Sequence, residues 1–173
     1  TSSLRRKMFL QQSYPHLNVE MLRGNIDTRI NALNRFDGII LAAAGIKRLQ
    51  LTQHIKEYLD HDLFIPAASQ GAIIITCKKN NTSLIRFIEK INDAQTRLCV
   101  EIERDICAGL SLDCHAPIGV YASVGNNSIV HIRVSLLWDN KFIQLKQSGK
   151  TNQQDILVSE IVNKINRERS LKS

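Results

Sequence analysis

Between Ile118 and Lys146 the chain reads as three strands joined by two short turns, and no other stretch narrows the possible folds as far. Ile118 to Val124 is one β-type run, Ile129 to Trp138 alternates apolar and polar residues, and Phe142 to Lys146 is a third run. The connections are the turn-forming sequences Gly125-Asn126-Asn127-Ser128 and Asp139-Asn140. Strands joined so tightly form an antiparallel meander. Helical patterns flank it. Leu98, Ile102 and Ile106 recur at i, i+4, i+8 in a helix expected from Ala94 to Ile106, and Leu157, Ile161 and Ile165 mark one face of a helix from Gln154 to Arg167. Residues 90–173 are therefore expected to be a small α+β domain, a three-stranded antiparallel sheet with helices.

The preceding residues have a different rhythm. Leu17 to Leu22 alternates with period two, Asp27 to Phe36 carries Ile30 and Leu33 at helical spacing, and Gly38 to Ala44 is a continuous small and apolar run. Such a run reads as a strand buried on both faces. Strands separated by short helices predict βαβ units, a parallel or mixed sheet, and a ligand crevice at the strands' carboxyl ends. Residues 1–71 are thus expected to be α/β. The breaker-rich Ile65-Pro66-Ala67-Ala68-Ser69-Gln70-Gly71 comes next, followed by the apolar run Ala72 to Cys77, a polar turn, and a helix from Leu84 to Ile91. A domain boundary is expected here. The 173 residues suit one large domain or two small ones.

Net charge is +7, and residues 1–48 hold eight basic side chains against three acidic ones. Such an excess favours anionic partners. Arg5 and Arg6, Arg23, and Lys47 and Arg48 fall at expected strand-to-helix junctions, where free backbone N–H groups already attract anions. Ser2, Ser3, Asn25 and Thr28 add donors, and arginine suits a planar grip on carboxylate or phosphate. Nucleic acid is disfavoured, because aromatics are 5% of the chain and none interleaves with these junctions as a stacking platform would. No basic amphipathic helix points to a membrane surface, and no run of ~18 apolar residues points to a span.

Four cysteines without CxxC spacing suggest neither a disulfide framework nor structural zinc, and a reducing cytoplasm is expected. Cys77, Cys99 and Cys107 lie in apolar patterns and read as core residues. Cys114 stands apart in the loop Ser111-Leu112-Asp113-Cys114-His115-Ala116-Pro117-Ile118-Gly119. Its thiol there is a candidate nucleophile, metal ligand or covalent tether, and the pattern leaves all three open. The opening on Thr1-Ser2-Ser3 is abrupt, with no initiator Met, and reads as the middle of a structural unit.

Several motifs occur in a characteristic order: Thr1-Ser2-Ser3-Leu4-Arg5-Arg6; Leu22-Arg23-Gly24-Asn25-x-x-Thr28-Arg29; Asp37-Gly38-Ile39-Ile40-Leu41-Ala42-x-Ala44-Gly45-x-Lys47-Arg48-Leu49; Gln70-Gly71-Ala72; Glu103-Arg104; and Cys114-x-x-Pro117-Ile118-Gly119. The series resembles the porphobilinogen deaminases, also called hydroxymethylbilane synthases. These transferases join four porphobilinogen molecules, releasing ammonia, to give hydroxymethylbilane on the route to haem. The resemblance implies a covalent dipyrromethane cofactor held by a thioether, with Cys114 as the tether by position. It implies that Ser3, Arg5, Arg6, Arg23, Arg29, Arg48 and Gln70 bind cofactor or substrate carboxylates.

The resemblance also implies a three-domain enzyme. Residues 1–71 would be the latter part of its second domain, a periplasmic-binding-protein-like α/β unit. Residues 72–89 would return to the first domain, leaving Ile73 to Cys77 without its sheet, and 90–173 would be the third, cofactor-carrying domain. The family's catalytic aspartate would precede Thr1, so no catalytic residue is assigned here, nor any metal. The expectation is a C-terminal fragment, inactive alone, with cofactor loading open. The partners implied are porphobilinogen and the growing polypyrrole, with a monomeric full-length enzyme and self-association of the fragment through exposed edges. Leu112 and Asp113 depart from the two small residues usual before the cysteine. The rival expectation is a non-catalytic module that binds polycarboxylates through the arginines without needing Cys114.

Overall fold

The computed structural model describes residues 1–112 and 116–171, so Cys114 and its neighbours Asp113 and His115 lie outside the described residues. The chain divides into two compact units that part between Phe64 and Ile65, and from Gly119 on it belongs to the second.

In the second unit the meander is present: β1 (Ile118–Val124), β2 (Ile129–Trp138) and β3 (Lys141–Lys150), in the order β1-β2-β3. β2 and β3 are antiparallel, paired from Ile129 opposite Lys150 to Trp138 opposite Lys141. Their two-residue link, Asp139 (φ 47°) and Asn140 (φ 62°), takes left-handed backbone at both positions. That is the geometry a tight hairpin needs to match strand twist, and Asp and Asn tolerate it well. β3 runs four residues past the expected Lys146. Gln147 to Lys150 lack an apolar signal, yet main-chain pairing with Ile129 to Ile132 extends the strand.

Helix α5 (Ala94–Gly109) begins at Asp93, whose carboxylate accepts from Thr96 N–H at 2.7 Å, and α6 (Gln154–Ser170) packs on both α5 and β3. Ile102, Ile106, Val130, Ile132, Val134, Leu136, Ile161 and Ile165 are almost wholly buried. Glycine permits close packing at the helix faces: a Cβ on Gly109 would meet Val162 at 2.8 Å, and one on Gly149 would meet Leu157 at 2.7 Å. Arg169 donates to the Leu110 carbonyl at 2.9 Å and stacks over Trp138 with its guanidinium carbon 3.8 Å from the ring centroid. It thus ties the end of α5 to the end of α6.

Ser135 on β2 is fully buried, and its Oγ has no hydrogen-bond partner among the described residues. A buried hydroxyl left unpaired costs about 1–3 kcal/mol. Ser135→Ala is therefore expected to raise unfolding stability by about 1 kcal/mol in urea denaturation. A loss of stability would mean that the hydroxyl is satisfied.

The first unit departs from expectation. It contains α1 (Leu4–Ser13), α2 (Ile26–Asn31) continued by a 3-10 turn over Ala32–Asn34, and α3 (Ala43–Arg48). Leu17 to Leu22 and Gly38 to Leu41 form no strand, and Ala43 and Ala44 open α3 instead. The expected parallel sheet is absent among the described residues, whose one sheet is the meander. Strand identity depends on a neighbouring ladder for backbone N–H and C=O groups, and these segments have none. Met8, Phe9, Leu22, Ala32, Ile46 and Phe64 are the buried apolar residues of this unit, with the Phe9 and Phe64 rings 5.7 Å apart. The same rule applies in the second unit to Ala72 to Cys77, which form no strand; Ile73 is 93% exposed. Helix α4 (Thr82–Ile88), extended by a 3-10 turn to Ile91, follows close to expectation. No helix among the described residues is long and apolar enough to cross a membrane.

Candidate functional site

In the first unit the chain gathers positive charge at the start of α1. Ser3 is the N-cap: its Oγ accepts from Arg6 N–H at 3.4 Å and its carbonyl from Lys7 N–H at 2.9 Å. Capping points the first turn, with Arg5 and Arg6 half-buried, along one fixed direction. Burial and then the Arg6 charge pull the Arg5 guanidinium down to about 10. Burial and then Arg29 lower Arg6. Both shifts mean that the folded chain holds these cations at a cost in free energy.

Arg29 is brought to Arg6 by the start of α2. Asn25 caps that helix, its Oδ1 accepting from Thr28 N–H at 2.8 Å and Thr28 Oγ1 at 2.6 Å. Gly24, at φ 118°, makes the turn into the cap, and a Cβ there would sit 2.9 Å from Thr28 Cγ2. Arg29 Nε donates to the Gly24 carbonyl at 2.7 Å, which pins the side chain across its own turn. Arg6 donates to the Ile40 carbonyl at 3.1 Å. No carboxylate lies within ion-pair distance of Arg6 or Arg29 among the described residues. Arg6 and Arg29, which repel one another and have no acid partner among the described residues, suit a ligand with several carboxylates, which would supply counter-charge.

The remaining expected site residues are placed differently. Arg23 is exposed just before the α2 cap. Arg48 is exposed in the last turn of α3, not at a helix start, where its charge favours the carbonyl end of the helix dipole. Gln70 belongs to the second unit, in the turn after Pro66, and its Oε1 accepts from Ala67 N–H at 3.2 Å. The structure thus brings together Ser3, Arg5, Arg6 and Arg29; Arg23 and Arg48 stand on exposed surface. Cys114 lies outside the described residues. Cys77, Cys99 and Cys107 are half-buried free thiols, and burial, with Glu103 second, raises both Cys99 and Cys107. Asp60, His61 and Asp62 bring ligand atoms within 4.8 Å of one another, but all three are exposed.

A separate cleft of about 400 Å³ in the second unit is lined by Ser69 to Ala72, the first half of α5 and residues 121–124 of β1. Its floor holds a residue given no role by the sequence pattern. Glu103, 6% exposed, accepts from Ser69 N–H at 2.6 Å and Ala122 N–H at 2.8 Å. Burial raises its pKa, and the two N–H bonds oppose that shift. The signal was in the sequence, since Glu103 sits between Ile102 and Ile106 on the inward stripe of α5, where a carboxylate is out of place unless paired.

A family model described as porphobilinogen deaminase, dipyromethane cofactor binding domain, matches residues 1–86. The arginines, Ser3 and Gln70 fall inside that match; Cys114 falls beyond it. A porphobilinogen deaminase of Legionella pneumophila (strain Lens) is 36% identical over 161 residues, covering 91% of this chain and 52% of that protein. The Thiobacillus denitrificans porphobilinogen deaminase is 46% identical over 125 residues, 71% of this chain and 41% of that protein. The Brevibacillus brevis protein of the same name is 42% identical over 130 residues, 74% of this chain and 42% of its own length. The chain spans about half the length of the curated relatives it matches.

Proposed function

The chain belongs to the porphobilinogen deaminase family, and on that premise we propose that it supplies the carboxylate-binding and cofactor-carrying part of an enzyme that condenses porphobilinogen to hydroxymethylbilane. The observation that carries this is the group Arg5, Arg6 and Arg29, in which Arg6 and Arg29 have no acid partner among the described residues. Every pyrrole of the substrate, the product and a dipyrromethane bears an acetate and a propionate. The arginine group fits such ligands in charge and in the number of donors.

In this reading Ser3, Arg5, Arg6 and Arg29 hold pyrrole carboxylates, Arg23 and Arg48 extend the positive surface along the first unit, and Gln70 adds an amide contact. Cys114 is the tether. A dipyrromethane, when bound, supplies the terminal pyrrole from which the chain of rings is extended. Each condensation breaks the aminomethyl C–N bond of one porphobilinogen, releases ammonia, forms a C–C bond to a free pyrrole carbon, and returns the proton displaced from that carbon. The arginines neutralise carboxylates that would otherwise repel one another as rings accumulate. No carboxylate of this chain is assigned to stabilise developing positive charge, and the chain by itself is proposed to be inactive.

Residues 1–71 correspond in this reading to the latter part of the family's periplasmic-binding-protein-like second domain. Residues 72–89 correspond to the return toward the first domain, and 90–173 to the third. The compartment is the cytoplasm.

Intact mass spectrometry of the complete protein, purified from cells that make porphobilinogen, tests the tether. The expected result is an adduct of two pyrrole units that disappears in Cys114→Ser. An unmodified wild-type mass would remove Cys114 from the mechanism, leaving a module that binds polycarboxylates through its arginines alone.

A further inference from the structure

Glu103 is the charged residue that α5 turns toward the interior, and no cation lies within ion-pair distance of it among the described residues. Its two oxygens are instead divided between two backbone donors, Oε2 taking Ser69 N–H at 2.6 Å and Oε1 taking Ala122 N–H at 2.8 Å. Ala122 lies on β1 and is buried. Ser69 lies in the turn Ala67 to Ala72, which is closed by Gln70 N–H to the Ala67 carbonyl at 3.0 Å and Ala72 N–H to the Ser69 carbonyl at 3.2 Å. That turn is strained at Ser69, at φ 63°, while Gly71, at φ 95°, takes a conformation that glycine adopts freely; the two flank Gln70. A serine in the left-handed region stays there only when its surroundings hold it.

We propose that Glu103 is a positioning residue, whose carboxylate ties the Ser69–Gly71 turn to β1 and thereby sets the place of Gln70 as a ligand contact. The proposal rests on the reading of Gln70 as a carboxylate-binding residue. The chemistry explains the choice of glutamate. An ionised carboxylate is acceptor-only and satisfies two N–H donors at once, whereas glutamine of the same length must turn its NH2 toward one of them. An apolar residue would leave both N–H groups unpaired. The turn is also anchored upstream, where Val120 N–H donates to the Pro66 carbonyl at 2.9 Å, so release of Glu103 frees the Gln70 segment while Pro66 stays held to β1.

The experiment uses the 173-residue chain, with backbone amide exchange by NMR and titration with porphobilinogen. Glu103→Gln is expected to speed exchange at the Ser69 amide at least ~10-fold relative to Ile132 and Val134 in the sheet, because one closing hydrogen bond is lost. It is expected to weaken porphobilinogen binding by the same factor as Gln70→Ala, and the double variant to be no weaker than either single one. Gly71→Ala, whose Cβ meets nothing within 4 Å, strains the same turn without touching the buried carboxylate and is expected to weaken binding likewise. It also keeps the proposal testable if Glu103→Gln does not fold. Unchanged exchange at Ser69 in Glu103→Gln overturns the proposal. So does normal binding in Glu103→Gln or Gly71→Ala when Gln70→Ala binds weakly. Normal binding in Gln70→Ala, by contrast, overturns the reading of Gln70 itself and the proposal with it.

Discussion

Arg6→Met is expected to weaken porphobilinogen binding by roughly 10- to 150-fold while leaving the unliganded chain as stable as before or more so. The first half follows from the strength of charge-assisted hydrogen bonds, about 1.5–3 kcal/mol each, with every 1.4 kcal/mol a factor of about ten. The second half follows from the state of the free site. Burial and the Arg29 charge both lower the Arg6 pKa. A cation whose folded pKa is depressed destabilises the fold at every pH where it is charged, neutral pH included. Methionine keeps the stem's apolar packing and removes the charge. Its cost is the bond to the Ile40 carbonyl, which sits in a partly exposed setting where water can replace the guanidinium.

Calorimetric titration and thermal melts of the two chains provide the measurement. A ligand-binding residue and a structural one differ here in sign. If Arg6 served only to hold Ile40, the variant would melt lower and any change in affinity would follow the loss of fold. Unchanged affinity in a well-folded Arg6→Met would remove the arginine group as the carboxylate site. Arg48→Met, on exposed surface in the last turn of α3, is the natural comparison.

The second large effect belongs to Gly119, at the start of β1. A Cβ built there would lie 2.6 Å from the Ile65 carbonyl oxygen and 3.0 Å from the Ile65 Cβ. The nearest obstacle is backbone, which cannot rotate away, and Ile65 is fully buried. The neighbouring Val120 N–H to Pro66 carbonyl bond, 2.9 Å, depends on the same close approach. Gly119→Ala is expected to cost about 2–3 kcal/mol, at the upper end of ordinary overpacking, and Gly119→Val more. Gly38→Ala is the control, because nothing lies within 4 Å of the added methyl. Urea titration should place Gly38→Ala at or slightly above the parent and Gly119→Ala well below it. Equal midpoints for the two would show that β1 and the Ile65 segment separate easily. That outcome would also weaken the anchoring of the turn that carries Gln70.

The parts of this fold legible in the sequence are those decided over a few residues. The meander was readable because apolar alternation, the Asp139-Asn140 turn and the helical stripes of α5 and α6 are each local. The Asp93 cap on Thr96 N–H, by contrast, is a contact that only the fold shows. The far end of β3 was not readable, since Gln147 to Lys150 belong to a strand only by pairing with β2. Leu17 to Leu22 and Gly38 to Leu41 failed for the complementary reason. Both have strand-like composition, but composition cannot supply the neighbouring ladder that makes a strand.

The candidate site divides the same way. From residues alone came the kind of ligand: an excess of arginine over acid in residues 1–48, near hydroxyl and amide donors, in motifs characteristic of one family. Only the tertiary structure decided which arginines act together. Arg6 and Arg29 are distant in sequence, yet the turns capped by Ser3 and Asn25 bring their charges close enough to repel, with no carboxylate paired to either among the described residues. It also moved Arg48 from an expected helix start to a helix end, and it found in Glu103 a buried carboxylate answered by two backbone N–H groups. The chemistry of a side chain is written in the sequence, but its burial and its partners depend on residues far along the chain and arise only when the chain folds.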